Sequence, residues 1–165
     1  GAWYRLDCAR LHLPTSLNPR AREWRLLSHV EKKGGNYAFL FPTGYFSAER
    51  QILLDGPAQR KIAFAFDIAS HPTIDGLFVA YVGKAANLRQ RFQWHFSLAA
   101  INTGAQVQYG LVKSGLCADR PAAVDFMLRH ATIVYRELSG DEHVAHRDLL
   151  ELALCARFGP PFNIK

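Results

Sequence analysis

The chain lacks several features that would place it in a specialised class of proteins. Its 165 residues include only three cysteines, Cys8, Cys117 and Cys155. Their wide separation and odd number argue against a disulfide framework or a zinc cluster and fit a reducing, intracellular setting, the cytoplasm in a bacterium. No apolar run approaches the ~20 residues of a membrane-spanning helix, so no membrane partner is expected. Apolar residues still make up 49%, enough for a compact core.

Acidic residues are absent from one long stretch. Between Asp75 and Asp119 there is no Asp or Glu, and the whole chain carries a net charge of +6. Cations interleaved with aromatic rings, without carboxylates to repel phosphates, suit a surface that binds nucleic acid. A solvated basic surface would explain the same charges. The residues of this stretch that we predict to contact nucleic acid are Arg89, Trp94 and Lys113.

The spacing of apolar and turn-forming residues predicts an α+β domain with a small sheet. The runs 61–68 and 77–82 are expected to pair as a hairpin. Residues 1–59 are predicted to be an N-terminal extension that helps to grip DNA or belongs to the same domain, and residues 60–165 the main domain. Further strands are expected at 36–41, 107–112 and 131–138, and helices at 19–30, 87–100, 119–129 and 139–158.

The densest set of reactive side chains begins at the end of the predicted strand 77–82 and continues into the next helix. Tyr81 ends the strand, and Lys84 leaves the turn behind it. On the next helix Arg91 and His95 are four residues apart and therefore share one face. A guanidinium suits the charge of a phosphoryl transition state, and an imidazole or a phenol can move a proton. These four groups could converge on one phosphate.

A single carboxylate stands out in the last predicted helix. Glu151 lies among leucines, where a charge is costly unless it has a partner. One Glu that faces a cleft of Lys and Arg is the simplest way to hold one Mg²⁺ beside a phosphate. An exposed Glu on an amphipathic helix is the alternative interpretation.

Two segments together resemble the GIY-YIG nuclease family. The run from Tyr81 through Gly83, Lys84, Asn87 and Arg91 to His95 is similar to that family's second signature. Glu151, followed by Pro160 and Phe162-Asn163, is similar to its closing pattern. The resemblance covers residues 60–165. It implies a small three-stranded antiparallel sheet flanked by helices.

The same resemblance implies an endonuclease that hydrolyses DNA, duplex or branched, with one Mg²⁺, for which Mn²⁺ can substitute. Cutting both strands with one metal per site would favour a dimer. In the family's pattern Glu151 would bind the metal and Arg91 would stabilise the phosphoryl charge. The remaining roles would be water activation by Tyr81 with Lys84, shared proton transfer by His95, and support of the site by Asn163. Whether Tyr81 or His95 is the base stays open.

The family's first signature, Gly-Ile-Tyr, has no clear counterpart. The expected hairpin puts Phe64 or Phe66 beside Tyr81, and neither ring has a hydroxyl. The segment Gly35-Asn36-Tyr37 looks more similar but requires residues 42–76 to be an insertion between the paired strands. Three explanations remain: Tyr37 is the first tyrosine, a phenylalanine replaces it in an active enzyme, or activity is lost. In the last case the chain is a nucleic-acid-binding module with the nuclease fold.

Overall fold

The computed structural model describes residues 2–11, 27–46, 52–55, 61–64 and 72–163. The strands in these ranges are β1 (Tyr4–Asp7), β2 (Gly35–Pro42), β3 (Ile52–Asp55), β4 (Lys61–Phe64), β5 (Thr73–Ile74), β6 (Leu77–Ala85) and β7 (Thr132–Glu137). The α-helices are α1 (Leu88–Phe96), α2 (Gln106–Lys113), α3 (Arg120–His130) and α4 (Val144–Phe158). Of the helices in these ranges, none has the length and hydropathy to cross a membrane.

The main sheet has five antiparallel strands in the order β1-β7-β2-β6-β5, and β3 pairs with β4 in a separate ladder. The expectation of a small three-stranded sheet is therefore wrong, although the α+β class holds. The three central strands are β7, β2 and β6, and the sequence pattern misses both edges. Those edge strands are only four and two residues long and partly exposed, so they show little apolar alternation. Two strands of this sheet, β1 and β2, come from the segment 1–59, and so does β3 of the separate ladder.

The predicted hairpin between 61–68 and 77–82 is also wrong. Strand β4 pairs with β3, in the register Leu53↔Ala63. Strand β6 pairs with β2 over its whole length, from Leu77↔Pro42 to Ala85↔Gly35. Phe64 therefore lies on a different ladder from Tyr81, and Phe66 lies outside the described residues.

Local signals explain where most helices begin and end. The side chain of Asn87 accepts a hydrogen bond from the backbone N–H of Gln90 and caps α1, and Asp119 caps α3 in the same way. Gly159 ends α4 in the left-handed conformation, with φ 52° and ψ 51°. The predicted strand 107–112 is instead helix α2, which buries Val107, Gly110 and Leu111 at helical spacing. The helix predicted at 19–30 falls mostly outside the described residues.

Both faces of the central strand are covered. On one face Tyr37, Phe39 and Phe41 of β2 pack with the buried sides of α1, α2 and α3. On the other face Ala38 and Leu40 pack with the C-terminal half of α4. The sheet therefore lies between helix α4 and the other three helices.

A β-bulge in β6 decides which way Tyr81 points. Tyr81 pairs with Phe39 and Val79 pairs with Leu40, which leaves Ala80 as an extra residue. Side chains alternate between faces along a regular strand, so without the bulge Tyr81 would lie on the same face as Val79. The bulge turns Tyr81 toward helix α1 and the face that carries Tyr37.

Candidate active site

A pocket of about 380 Å³ opens between β6, α1 and α4. We call it the Tyr81 pocket. Its lining includes five of the predicted site residues, Tyr81, Lys84, Arg91, Glu151 and Asn163, together with Arg147 and Asp148. These side chains come from a strand, two helices and the segment after the last helix, so the fold brings distant parts of the sequence to one cavity.

Tyr37 and His95 lie behind this pocket, fully buried. The Tyr37 hydroxyl is 2.6 Å from Nε2 of His95. The ring centroids of Tyr37 and Tyr81 are 6.1 Å apart, and each phenol shifts the pKa of the other. A chain of polar groups thus runs from the pocket wall at Tyr81 through Tyr37 to His95.

The register of β2 and β6 puts Tyr37 directly opposite Gly83. A Cβ at residue 83 would lie 2.4 Å from both Cζ and the hydroxyl oxygen of Tyr37, closer than non-bonded atoms can approach. Glycine at this position is therefore required by the tyrosine beside it. Of the candidates for the first signature within the described residues, Tyr37 and not Phe64 stands next to the strand of Tyr81.

Burial controls the protonation of the side chains of Tyr37, Tyr81 and His95. It raises the pKa of Tyr37 well above 10, and it raises the pKa of Tyr81 despite the opposing effects of the Tyr37 hydrogen bond and the Arg91 charge. Burial, with the charge of Arg91, lowers the pKa of His95 to about 3. At neutral pH both phenols are protonated and the imidazole is uncharged. The His95 Nδ1 has no hydrogen-bond partner among the described residues.

Glu151 presents a carboxylate to the pocket although only 6% of the residue is exposed. Carboxylate oxygens suit Mg²⁺, which keeps several waters and takes phosphate oxygens as further ligands. A carboxylate in a cavity that Arg91 also lines therefore suits such an ion. The described residues contain no group of three or more His, Cys, Asp or Glu placed to hold a metal, so water and substrate would have to complete its coordination.

Two charged residues that the sequence analysis missed also lie on α4. Asp148 accepts a hydrogen bond from Nζ of Lys84 at 2.7 Å, and both side chains are half exposed. Arg147 is buried and donates to the carbonyl oxygens of Leu138 and Gly140 at 2.5 and 3.2 Å. The signal was present, because residues three and four positions before Glu151 share its side of a helix.

Asn36 is a further residue that the sequence analysis did not select. Its Nδ2 donates to the backbone carbonyl oxygen of Arg147 at 2.9 Å and so ties β2 to α4. It is fully buried, and its Oδ1 has no partner among the described residues. A polar residue in the otherwise apolar run of β2 was the available signal.

Asn163 holds the edge of β6. Its Oδ1 accepts a hydrogen bond from the N–H of Val82 at 2.8 Å, and its Nδ2 donates to the Val82 carbonyl oxygen at 2.6 Å. The N–H of Phe162 donates to the carbonyl oxygen of Ala80 at 3.0 Å. The chain after α4 therefore pairs with β6 much as another strand would, next to Tyr81.

The three predicted nucleic-acid contacts have different surroundings. The Nε of Arg89 donates to the carbonyl oxygen of Val30 at 2.5 Å, so this side chain also links α1 to the segment before β2. Trp94 is 43% exposed, and the Arg91 guanidinium carbon lies 5.2 Å from its ring centroid. Lys113 is exposed at the end of α2. Their contact with nucleic acid stays a prediction.

Comparison with known proteins identifies no relative of this chain. A scan against models of protein families and searches of curated proteins and of solved structures find no match. The resemblance to the GIY-YIG nucleases rests on the residues quoted above, and the chemistry of the Tyr81 pocket is what bears on function.

Proposed function

We propose that the chain is a divalent-metal-dependent endonuclease that hydrolyses DNA phosphodiester bonds with a GIY-YIG type of active site. One observation carries the proposal: Tyr81 and Arg91 of the first matching segment and Glu151 of the second line one pocket. The lining of this pocket includes three basic side chains, Lys84, Arg91 and Arg147, and two carboxylates, the nearly buried Glu151 and Asp148, which pairs with Lys84. That combination suits a phosphodiester better than a neutral substrate.

In this proposal Arg91 and Lys84 bind the scissile phosphate. Arg91 is half buried and its planar guanidinium can donate two hydrogen bonds to phosphate oxygens. Because negative charge spreads over those oxygens as the phosphorus–oxygen bond breaks, a fixed guanidinium stabilises the transition state more than the ground state. Lys84 adds a second positive charge at the more exposed side of the pocket.

Tyr81 is the residue that contacts the attacking water, since its side chain lines the pocket and that of His95 does not. His95 is a poor final proton acceptor, because its pKa of about 3 means that protonating it at pH 7 costs roughly 5 kcal/mol. We therefore assign the orientation of the water to Tyr81, which could act as the base only once a bound cation had lowered the pKa that burial raises. Arg91 already lowers the Tyr81 pKa in part, and a bound cation would lower it further. His95 and Tyr37 hold Tyr81 in place.

Glu151 is the residue that would hold Mg²⁺ or Mn²⁺. Such an ion supplies Lewis-acid polarisation of the phosphate and neutralises its developing charge. Asn163 acts indirectly, because its two hydrogen bonds to Val82 fix the backbone that carries Tyr81.

The test is cleavage of supercoiled plasmid with Mg²⁺ and with Mn²⁺. Wild-type protein should nick it, and Glu151→Ala should lower the rate at least a hundredfold while DNA affinity stays within about threefold, since the basic residues remain. Arg91→Ala should also lower the rate strongly, with a smaller loss of affinity. Glu142→Ala, which removes an exposed carboxylate just before α4, is the matched control and should cut normally.

Two results would count against this function. Equal losses in Glu151→Ala and Glu142→Ala would mean that the pocket carboxylate has no special role. Wild-type protein that binds DNA in a salt-dependent manner but cuts nothing with either metal would favour the alternative of a catalytically inactive nucleic-acid-binding module.

A further inference from the structure

A second concave surface lies on α1 and the loop that follows it. This open pocket of about 480 Å³ has Trp94 in its wall together with the amide side chains of Gln90 and Gln93. We call it the Trp94 pocket. Three large apolar residues at or beside it are exposed, Trp94 by 43%, Leu98 by 45% and Ile101 by 67%. Exposed apolar residues that cluster in this way mark an interaction surface.

Arg91 connects the two pockets. Its side chain lines the Tyr81 pocket, and its guanidinium carbon is 5.2 Å from the centroid of the Trp94 ring. A cation over the face of an indole is held there by the ring's electron density. A strand whose phosphate contacts Arg91 therefore runs close to the Trp94 ring.

The charge around the Trp94 pocket favours a polyanion as its occupant. Helix α1 contains Arg89 and Arg91 but no acidic residue, and the acid-free stretch continues from Asp75 to Asp119. An indole stacks on any nucleobase, and Gln amides can donate to and accept from base edges. The surface thus combines an aromatic ring, amides and adjacent cations.

We infer that the Trp94 pocket takes an unstacked nucleobase of the strand whose phosphate enters the Tyr81 pocket. The inference rests on the proposed function and narrows its substrate class. The base stacks on Trp94, and Gln90 or Gln93 contacts its edge. Because a base inside a regular duplex is covered by its neighbours on both sides, the preferred substrate is single-stranded, looped or branched next to the scissile phosphate.

The test is binding of labelled oligonucleotides by the full chain without divalent metal, so that no cleavage interferes. Stacking of one base contributes about 1–3 kcal/mol, so Trp94→Ala should weaken binding of a single strand by about 5- to 150-fold. Binding of the fully paired duplex should change less than twofold, and Trp94→Phe should retain most of the affinity. The matched control is Trp3→Ala, which removes a Trp of similar exposure, 42%, from a different groove; its affinity should equal that of the wild type.

Several results would overturn the inference. One is an equal loss for single strand and duplex, which would make Trp94 a general backbone contact. Another is an equal loss in Trp94→Ala and Trp3→Ala. A third is a change of oligomeric state in Trp94→Ala, measured by sedimentation, with unchanged DNA affinity, because the surface would then bind a second copy of the chain.

The two proposals fail in different ways. If the wild type binds single strands through Trp94 but does not cut with Mg²⁺, only the nuclease proposal is wrong. If it cuts and Trp94→Ala binds and cuts like the wild type, only the base pocket is wrong. A wild-type protein that binds no DNA at low salt would contradict both.

Discussion

The Tyr37 hydroxyl and Nε2 of His95 form a 2.6 Å hydrogen bond in a part of the core that is closed to solvent. Because burial keeps both groups uncharged near neutral pH, this bond joins two neutral partners and carries no ion-pair energy. Its removal is nevertheless costly, since a buried polar atom left without a partner loses its hydration with no compensation. The pair therefore stabilises the fold as well as the position of Tyr81.

Replacing Tyr37 by Phe should lower the free energy of unfolding by about 1–3 kcal/mol, because His95 Nε2 loses its partner. Urea unfolding measures this change, and the rate of plasmid cleavage should fall as well. Tyr45→Phe is the control, since Tyr45 and Nε2 of His130 form a longer contact, 3.3 Å, at a less buried place. A Tyr37→Phe protein as stable as the wild type would contradict the prediction.

The buried imidazole should also make stability depend on pH. Its pKa is about 3 in the folded chain, against an ordinary value of 6.5. Below pH 6.5 the unfolded chain binds a proton that the folded chain does not, so stability falls as the pH decreases toward 3. The slope is about 1.4 kcal/mol per pH unit, and at pH 5 the loss from this group is about 2 kcal/mol.

The variant His95→Phe isolates that contribution. Comparing urea unfolding at pH 7 and pH 5 should give a smaller pH-dependent loss in the variant than in the wild type, by about 2 kcal/mol. His143→Ala, at a more exposed position, should follow the wild type. Identical pH dependence in wild type and His95→Phe would mean that the ring titrates near its ordinary pKa.

Gly83→Ala should displace Tyr37. The added Cβ would meet Cζ and the hydroxyl oxygen of that ring at 2.4 Å, so the ring or the strand must move. We expect the free energy of unfolding to fall by about 1–3 kcal/mol and DNA cleavage to be lost. Gly44→Ala is the control, because a Cβ there meets no described atom within 4 Å; its stability should change by less than about 0.5 kcal/mol. Similar effects at both glycines would rule out the steric explanation.

Removing Asp148 should strengthen DNA binding. Its carboxylate pairs with Lys84 at the pocket and repels phosphates, so Asp148→Ala frees a cation and removes an anion. Fluorescence anisotropy at low salt should show about two- to fivefold tighter binding, and Lys84→Ala should show weaker binding. Asp125→Ala breaks another surface ion pair, with Arg129, and controls for net charge. If Asp148→Ala and Asp125→Ala gained DNA affinity equally, Asp148 would have no special role in DNA binding.

Local chemistry could be predicted from the sequence because it depends on near neighbours. The caps at Asn87 and Asp119, the stop at Gly159 and the four-residue spacing of Arg91 and His95 are all such properties. The partner of β6 could not be predicted in this way, since apolar alternation shows that a strand exists but not which strand it meets. The nearer run at 61–64 pairs elsewhere, and the partner β2 lies beyond it in the chain.

The face of the sheet to which the Tyr81 side chain points could not be predicted from the sequence either. Alternation along 78–82 assigns Tyr81 to the face of Val79, and only the extra residue at Ala80 reverses this. A bulge depends on the pairing of two strands, so it cannot be predicted from the sequence of one strand alone. The same limit explains why Tyr37 could be named as a candidate but not located beside Tyr81.

The hydrogen bonds from Phe162 and Asn163 to β6 have a consequence for synthesis of the chain. Strand β6 leaves the ribosome long before residues 162–163 do, and until they arrive the backbone groups of Ala80 and Val82 lack the partners that they have in the finished fold. An exposed strand edge can pair with the edge of another chain and aggregate. A nascent or truncated chain that ends before Phe162 would therefore carry an open edge next to Tyr81, and translation through Asn163 is what closes it.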